Sequence, residues 1–262
     1  MTGVWRELAP QWERGRALLW EATRPVSAWL VERLDPQPGQ TILDLAAGTG
    51  ETGFLASARL GATGRLITSD GTAEMLAAAE RVAAQQGVTN AEFRVLDTDA
   101  IALADASVDG VLSRFGYVLR GETKLPEVRR VLRPGGTFAF AVWGRRERNA
   151  WMTVPASVMV ERGHLPEQTD EERRLSERRT PEAIDTRLRE TGFTQVEVAE
   201  LPVAYRFVDA EELWFFVSEL RGPVALALAK LDDAERASVR AEIETRTPGL
   251  ELGGVAIVVA AR

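Results

Sequence analysis

Thr41 to Gly53 reads TILDLAAGTGETG, and the residue types in this run suit a ligand site. Ile42, Leu43 and Leu45 make a short apolar strand that carries one carboxylate, Asp44, near its end. The small residues Ala46, Ala47, Gly48, Thr49 and Gly50 form a tight loop, and 54–60 reads as helix. A strand, a glycine loop and a helix bring backbone N–H groups up to a nucleotide-like ligand. Gly48, Gly50 and Gly53 also satisfy the G-x-G-x-x-G spacing of dinucleotide sites. Asp44 argues against a dinucleotide, because a carboxylate at the mouth of the loop repels a pyrophosphate. It suits a ligand that carries an ammonium and a sulfonium.

The rest of the chain must position that loop. With 262 residues it can bury a full core, as one domain or one domain plus a small cap. The net charge of −7 and the absence of a basic, aromatic-rich tract argue against nucleic acid as a partner. Arg145, Arg146 and Arg148 cluster, which a solvated loop explains. There is no cysteine, so disulfides, thiolate nucleophiles and cysteine metal sites are excluded, in keeping with a reducing cytosol. His164 is the single histidine, which excludes a multi-histidine metal site, and no metal is expected. The first residues are too charged for a signal peptide, and no apolar run is long enough to cross a membrane. A cytoplasmic protein without membrane insertion is expected.

Apolar strands at 41–46, 65–69, 91–96, 108–112 and 137–143 alternate with helical patterns after Gly50, at 72–86 and near 122–132. That alternation predicts an α/β architecture, a parallel sheet with helices on both faces. Arg133-Pro134-Gly135-Gly136 fits a type II turn. Before the sheet, 1–40 reads as an N-terminal helical cap, with Trp5, Leu8 and Trp12 on one face and Pro25 suited to a second helix start. Residues 144–180 break the rhythm as a lid-like insertion, whose charged run at 170–179 is a solvated helix or loop. Thr180-Pro181-Glu182 opens a helix that Gly192 closes, and 195–201 is strand-like. A helical lid segment at 207–250 precedes an apolar strand at 255–260, so 41–206 together with 251–262 form the core.

The order of these motifs resembles the class I S-adenosylmethionine-dependent methyltransferases, in particular the ubiquinone/menaquinone-biosynthesis type and its small-molecule relatives. TILDLAAGTGE, LITSDGTAEMLAAA, FRVLDTDAIALADASVDGVLSRFG and EVRRVLRPGGTFAFAVWG carry the resemblance, in the family's order and spacing. It implies a Rossmann-like seven-stranded, mostly parallel sheet in the order 3-2-1-4-5-7-6, its last strand antiparallel, with a partly helical lid. It implies S-adenosyl-L-methionine as cofactor, and S-adenosyl-L-homocysteine as product. Asp44 and the loop from Ala46 through Ala47, Gly48 and Thr49 to Gly50 would hold the methionine part and ribose. Asp70, followed by Gly71, would accept from both ribose hydroxyls, Met75 would pack on adenine, and Asp97 with Thr98 would take the adenine edge. Ser113 and Arg114 would line the methionine end. Ala46 stands where the family has its first loop glycine, and Asp97-Thr98 where it has an acid-alanine pair. Each residue also has a plain reading: Asp44 or Asp70 as a helix cap, Met75 as core.

Methyl transfer from a sulfonium needs alignment and exclusion of water, and a base only when the acceptor must lose a proton. Acceptor-pocket candidates are Phe115, Tyr117, Trp143 and Trp151 beyond strands four and five, with Trp12, Trp20, Trp214 and Phe215 from flanking helices. A pocket so lined favours a small aromatic or apolar metabolite. No catalytic group is identified, and His164 and Tyr117 are candidates for a base. Two other readings stay open: a protein that binds the cofactor without transferring methyl, as a regulator or a rearrangement enzyme, and a nicotinamide-dependent oxidoreductase. The acceptor, the atom methylated and the oligomeric state, a homodimer included, are not readable.

Overall fold

The structure is a computed structural model that describes residues 2–116, 119 and 121–262, with side chains from residue 9 onward. Strands β1 (Thr41–Leu45), β2 (Arg65–Asp70), β3 (Ala91–Val95), β4 (Val108–Arg114), β5 (Leu132–Trp143), β6 (Val196–Arg206) and β7 (Glu251–Ala261) form one sheet. Its order is β3-β2-β1-β4-β5-β7-β6, the order the resemblance implies. β1 runs parallel to β2 and β4, and β2 to β3, whereas β7 lies antiparallel between β5 and β6.

Helices are α1 (Thr2–Leu34), α2 (Glu51–Leu60), α3 (Ala73–Gln86), α4 (Lys124–Val131), α5 (Ala150–Glu161), α6 (Asp170–Glu177), α7 (Pro181–Glu190), α8 (Ala210–Phe215), α9 (Pro223–Leu228) and α10 (Asp233–Thr245). Alternate strand residues feed two separate cores. Ile42, Leu112, Ala139 and Val258 face α1, α2, α3 and the later helices, and Leu43, Val111, Phe138 and Val259 face α4 and α7. Leu43, Leu112 and Phe138 have no solvent exposure at all, and each such side chain stabilises the fold by about 1.5–3 kcal/mol.

Several local readings hold. Thr180 caps α7, its side chain accepting from the Ala183 amide, with Pro181 in the first turn. The charged run is helix α6, opened by a reciprocal capping box between Thr169 and Glu172. Gly135 takes φ +80°, as the third position of a type II turn requires.

One reading is corrected: Pro25 does not start a helix, because α1 continues through both Pro10 and Pro25 to Leu34. Pro25 is exposed, so the helical carbonyl it leaves unbonded can be satisfied by water, while Val26, Leu30 and Val31 just beyond it are fully buried on the sheet. Packing on that face outweighs the lost bond. No described helix is long and apolar enough to cross a membrane.

Candidate functional site

At the carboxyl end of β1 two serines fix the backbone. Ser69 Oγ donates to the Asp44 carbonyl at 2.8 Å, and Ser113 Oγ to the Leu45 carbonyl at 2.9 Å. The chain then turns sharply. Ala46, Gly48 and Gly50 all have positive φ, of 55°, 58° and 88°. Ala46 holds this conformation at a cost of about 1–2 kcal/mol relative to a right-handed one. A Cβ on Gly116 would stand 3.0 Å from the Ala46 methyl, so the glycine there makes room for the alanine. The Ala47 amide donates to the Ser69 carbonyl, and the Gly48 amide to Asp70 Oδ2 at 3.1 Å.

Asp44 is 1% exposed, and neither carboxylate oxygen has a hydrogen-bond partner among the described residues. Burial pushes its carboxyl up to about 7. The Arg114 charge and the nearby Gly53 amide pull it down, and Asp70 and Glu51 push it further up. A buried carboxylate without a partner is costly, and what would offset the cost is a cation or a donor.

Glu51, which sequence reasoning quoted without giving it a role, is the second buried acid of the loop. It accepts from Thr49 Oγ1 at 2.7 Å and stands 4.0 Å from Arg114 and 3.8 Å from Arg16. Arg114 also donates to the Thr23 hydroxyl on α1. The local signal was available, since a glutamate opening a helix directly after a glycine loop faces that loop.

Asp70 ends β2 half-buried and its carboxyl is raised by burial. Its Oδ1 accepts from the Thr72 amide and hydroxyl, at 3.1 and 3.2 Å. Thr72, rather than Asp70, is the N-cap of α3. Three of the roughly four acceptor positions of that carboxylate are therefore used. Gly71 is exposed beside it, and Met75 is buried at 3% in the first turn of α3. Asp97 is exposed and accepts from the Asp99 amide at 2.9 Å, with Thr98 half-buried between them.

The acceptor candidates divide. Phe115, held at φ +62° with its amide on the Ala141 carbonyl, stacks flat on Trp143 with centroids 3.9 Å apart. Trp143 meets Trp151 at 4.5 Å, and Trp151 meets Tyr205 at 5.6 Å. These four rings form one aromatic wall beyond the ends of β4 and β5. Trp151 is pinned, since its Nε1 donates to Asn149 Oδ1, which also accepts from the Val255 amide.

The other candidates lie elsewhere. Trp214 is covered by Arg236 and Arg240 of α10, and Phe215 is half-buried beside it. Trp12 is half-buried on α1, and Trp20 lines a groove of about 1040 Å³ between α1, α2 and α3. That groove shares Glu51 with the loop but runs to Arg65 and Ala91, at the opposite end of the sheet. His164 Nε2 pairs with Glu235 of α10 at 2.8 Å, in a network with Arg162. Tyr117 lies outside the described residues.

Tyr205 and Arg221 were not singled out by the sequence. Tyr205 is 3% exposed on β6, and burial raises its hydroxyl to about 12 against the charges of Arg221 and Arg114. Its signal was the alternation Val203, Tyr205, Phe207, all three buried.

The sheet order and the glycine loop after β1 define a class I S-adenosylmethionine-dependent methyltransferase fold. A family model described as a methyltransferase domain matches residues 36–181, more than half of the chain, and the chain belongs to that family. It is 40% identical over 105 residues to the ubiquinone/menaquinone biosynthesis C-methyltransferase UbiE of Rubrivivax gelatinosus, covering 39% of each. The chain spans less than half the length of the curated relatives it matches. Among solved structures, YcgJ of Bacillus subtilis aligns with a TM-score of 0.59 at 18% identity, over 91% of this chain and 97% of that one. The [4+2]-cyclase SpnF aligns with a TM-score of 0.54 at 16% identity, over 98% and 96%.

Proposed function

We propose that this chain transfers a methyl group from S-adenosylmethionine to a small aromatic or apolar acceptor. The observation that carries the reading is Asp44, a fully buried carboxylate with no hydrogen-bond partner among the described residues, set beside a glycine loop. A cationic amino acid group answers its charge, whereas a pyrophosphate would meet three carboxylates, Asp44, Glu51 and Asp70. When bound, the cofactor supplies a methyl group already activated by its sulfonium. Asp44 holds the ammonium, and the Gly48 to Gly50 backbone cradles the methionine part. Asp70 takes the ribose hydroxyls, with the Thr72 hydroxyl giving way if both are held. Met75 packs on adenine, and Asp97 with the Thr98 amide takes its edge.

The aromatic wall from Phe115 to Tyr205 excludes water, and its half-buried rings, Phe115 and Trp143, offer faces to an acceptor, backed by the buried Trp151 and Tyr205. Arg114 lies between that wall and the loop, 6.0 Å from the Phe115 ring and 4.0 Å from Glu51. The start of α1, residues 144–180 and residues 207–250 close over the acceptor as a lid.

SpnF, named as a cyclase, has the same fold, so transfer itself must be measured. Calorimetric titration with S-adenosylhomocysteine should give micromolar affinity, roughly −8 kcal/mol, and NAD far weaker binding. Incubation with labelled S-adenosylmethionine and a metabolite extract should yield a product heavier by one methyl. Tight NAD binding with no response to S-adenosylhomocysteine would overturn the reading.

A further inference from the structure

Arg221 stands out among the charged groups that the cofactor site does not use. Its guanidinium lies 4.3 Å over the Trp151 ring and 5.9 Å from Phe216. Its Nε is fully buried without a hydrogen-bond partner, while part of the side chain keeps access to solvent. No described carboxylate pairs with it. The groups whose charge acts on it are Tyr205, a neutral phenol at physiological pH, and Arg146, a second cation. Burial and Arg146 lower the Arg221 guanidinium to about 10.

A mostly buried cation that feels a second positive charge and has no counter-ion among the described residues is an expensive arrangement unless a ligand completes it. The backbone is specialised at the same place. Residues Phe216–Leu220 form a π-helical turn between α8 and α9, and Gly222 follows Arg221 with φ +49°. π turns are rare and recur at functional sites. This one delivers the guanidinium onto the ring that the aromatic wall presents.

We infer that Arg221, supported by Arg146, binds a carboxylate of the methyl acceptor, so that the acceptor is an aromatic or apolar acid. This rests on the proposed methyltransferase reading and narrows its substrate class. A carboxylate matches the planar guanidinium fork, and rings next to it match the half-buried Trp143, which the buried Trp151 backs. The acceptor then lies along the wall with its acid at Arg221 and its other end toward Phe115 and Arg114, where the cofactor site begins.

The test measures binding in protein saturated with S-adenosylhomocysteine, by calorimetry with benzoate and 4-hydroxybenzoate and with the corresponding neutral amides. The acids should bind at least tenfold more tightly than the amides. Arg221→Gln should bring the acids to the level of the amides, with Arg221→Lys between the two. Arg146→Gln should weaken the acids a few-fold. Each variant should keep its S-adenosylhomocysteine affinity within twofold, which also reports that it is folded. Acids binding no better than amides in the wild type, or a preference for acids that survives in Arg221→Gln, overturns the inference. Failure to bind S-adenosylhomocysteine would instead strike the methyltransferase reading, and it is read in a separate titration.

Discussion

Asp44 and Gly53 touch across the join between β1 and α2. A Cβ built on Gly53 would stand 2.5 Å from Asp44 Oδ2, so the helix can approach the buried carboxylate only because that position has no side chain. Gly53 completes a dinucleotide-like spacing in the sequence, but here it serves close packing of helix on strand. Gly53→Ala must push either the carboxylate or the helix aside. It should destabilise the protein by about 1–3 kcal/mol and weaken S-adenosylhomocysteine binding at least tenfold. Urea unfolding and calorimetry on the same variant check both effects.

Asp44 makes stability and binding depend on pH in opposite senses. Its carboxyl is raised from 3.8 to about 7 by burial, so the folded state holds a proton where the unfolded state has lost it. The protonated form's contribution is fully present below about pH 4 and is lost as pH rises toward 7, on the order of 2–4 kcal/mol. The ligand-free protein should melt at lower temperature at pH 8 than at pH 5, and Asp44→Asn should flatten that slope. A bound ammonium favours the carboxylate, so cofactor affinity should rise over the same window. Calorimetry in two buffers of different ionisation enthalpy should register proton release below pH 7 in the wild type and none in Asp44→Asn.

Asp70 has two duties that a single variant can separate. Asp70→Asn keeps an oxygen for the Gly48 or Thr72 amide and loses the charge offered to two hydroxyls. Affinity for S-adenosylhomocysteine should fall at least tenfold, in line with charge-assisted hydrogen bonds of about 1.5–3 kcal/mol. Thermal stability should change by no more than the loss of one loop hydrogen bond, about 1 kcal/mol. An unchanged dissociation constant would leave Asp70 as an organiser of the loop alone.

The proposed lid has a weakly held part. α6 is mostly exposed, and its described tie to the body is Ser176 Oγ accepting from the Arg146 amide at 2.9 Å. Its amides should exchange within seconds in the free protein, and slow when S-adenosylhomocysteine and 4-hydroxybenzoate are both present. Hydrogen exchange read by mass spectrometry checks this, with β4 as the slow reference. Protection of α6 equal to β4 in the free protein would make it a fixed element.

The loop proposed to hold the cofactor was legible in the sequence because it is local. Asp44, the loop and Gly53 lie within ten residues of one another, and buried parallel strands announce themselves as apolar runs. The proposed acceptor side was legible only in part, because it is assembled from distant segments: Phe115, Trp143 and Trp151 were candidates, whereas Tyr205 and Arg221 were not. Phe115, Trp143, Trp151, Tyr205 and Arg221 come from five elements, and nothing in the neighbourhood of Arg221 says that its charge lies against a ring. A π turn leaves no periodic trace distinct from that of an α-helix, so residues 211–221 read as one helix, where the structure has α8 followed by Phe216–Leu220 in another winding. Tryptophans marked aromatic surface without saying which joined the wall: Trp143 stacks on Phe115, whereas Trp214 is roofed by two arginines. Pro25 misled because a proline's local preference yields when the helix beyond it has a sheet to bury against.

The placement of β7 between β5 and β6 has a kinetic consequence. β6 reaches the rest of the sheet only through β7, with Val196 opposite Ala261 at one end and Arg206 opposite Glu251 at the other. Until that last strand arrives, β5 is an open edge and β6 has no hydrogen-bonding neighbour. The glycine loop, built on β1, β2 and β4, can form while the chain is still being made, because its partners precede it or follow it closely. Tyr205 and the π turn must wait for a pairing that closes over long sequence separations, which is slow. The half proposed to hold the cofactor therefore matures first, and the half proposed to choose the acceptor is completed last, by the insertion of a single strand.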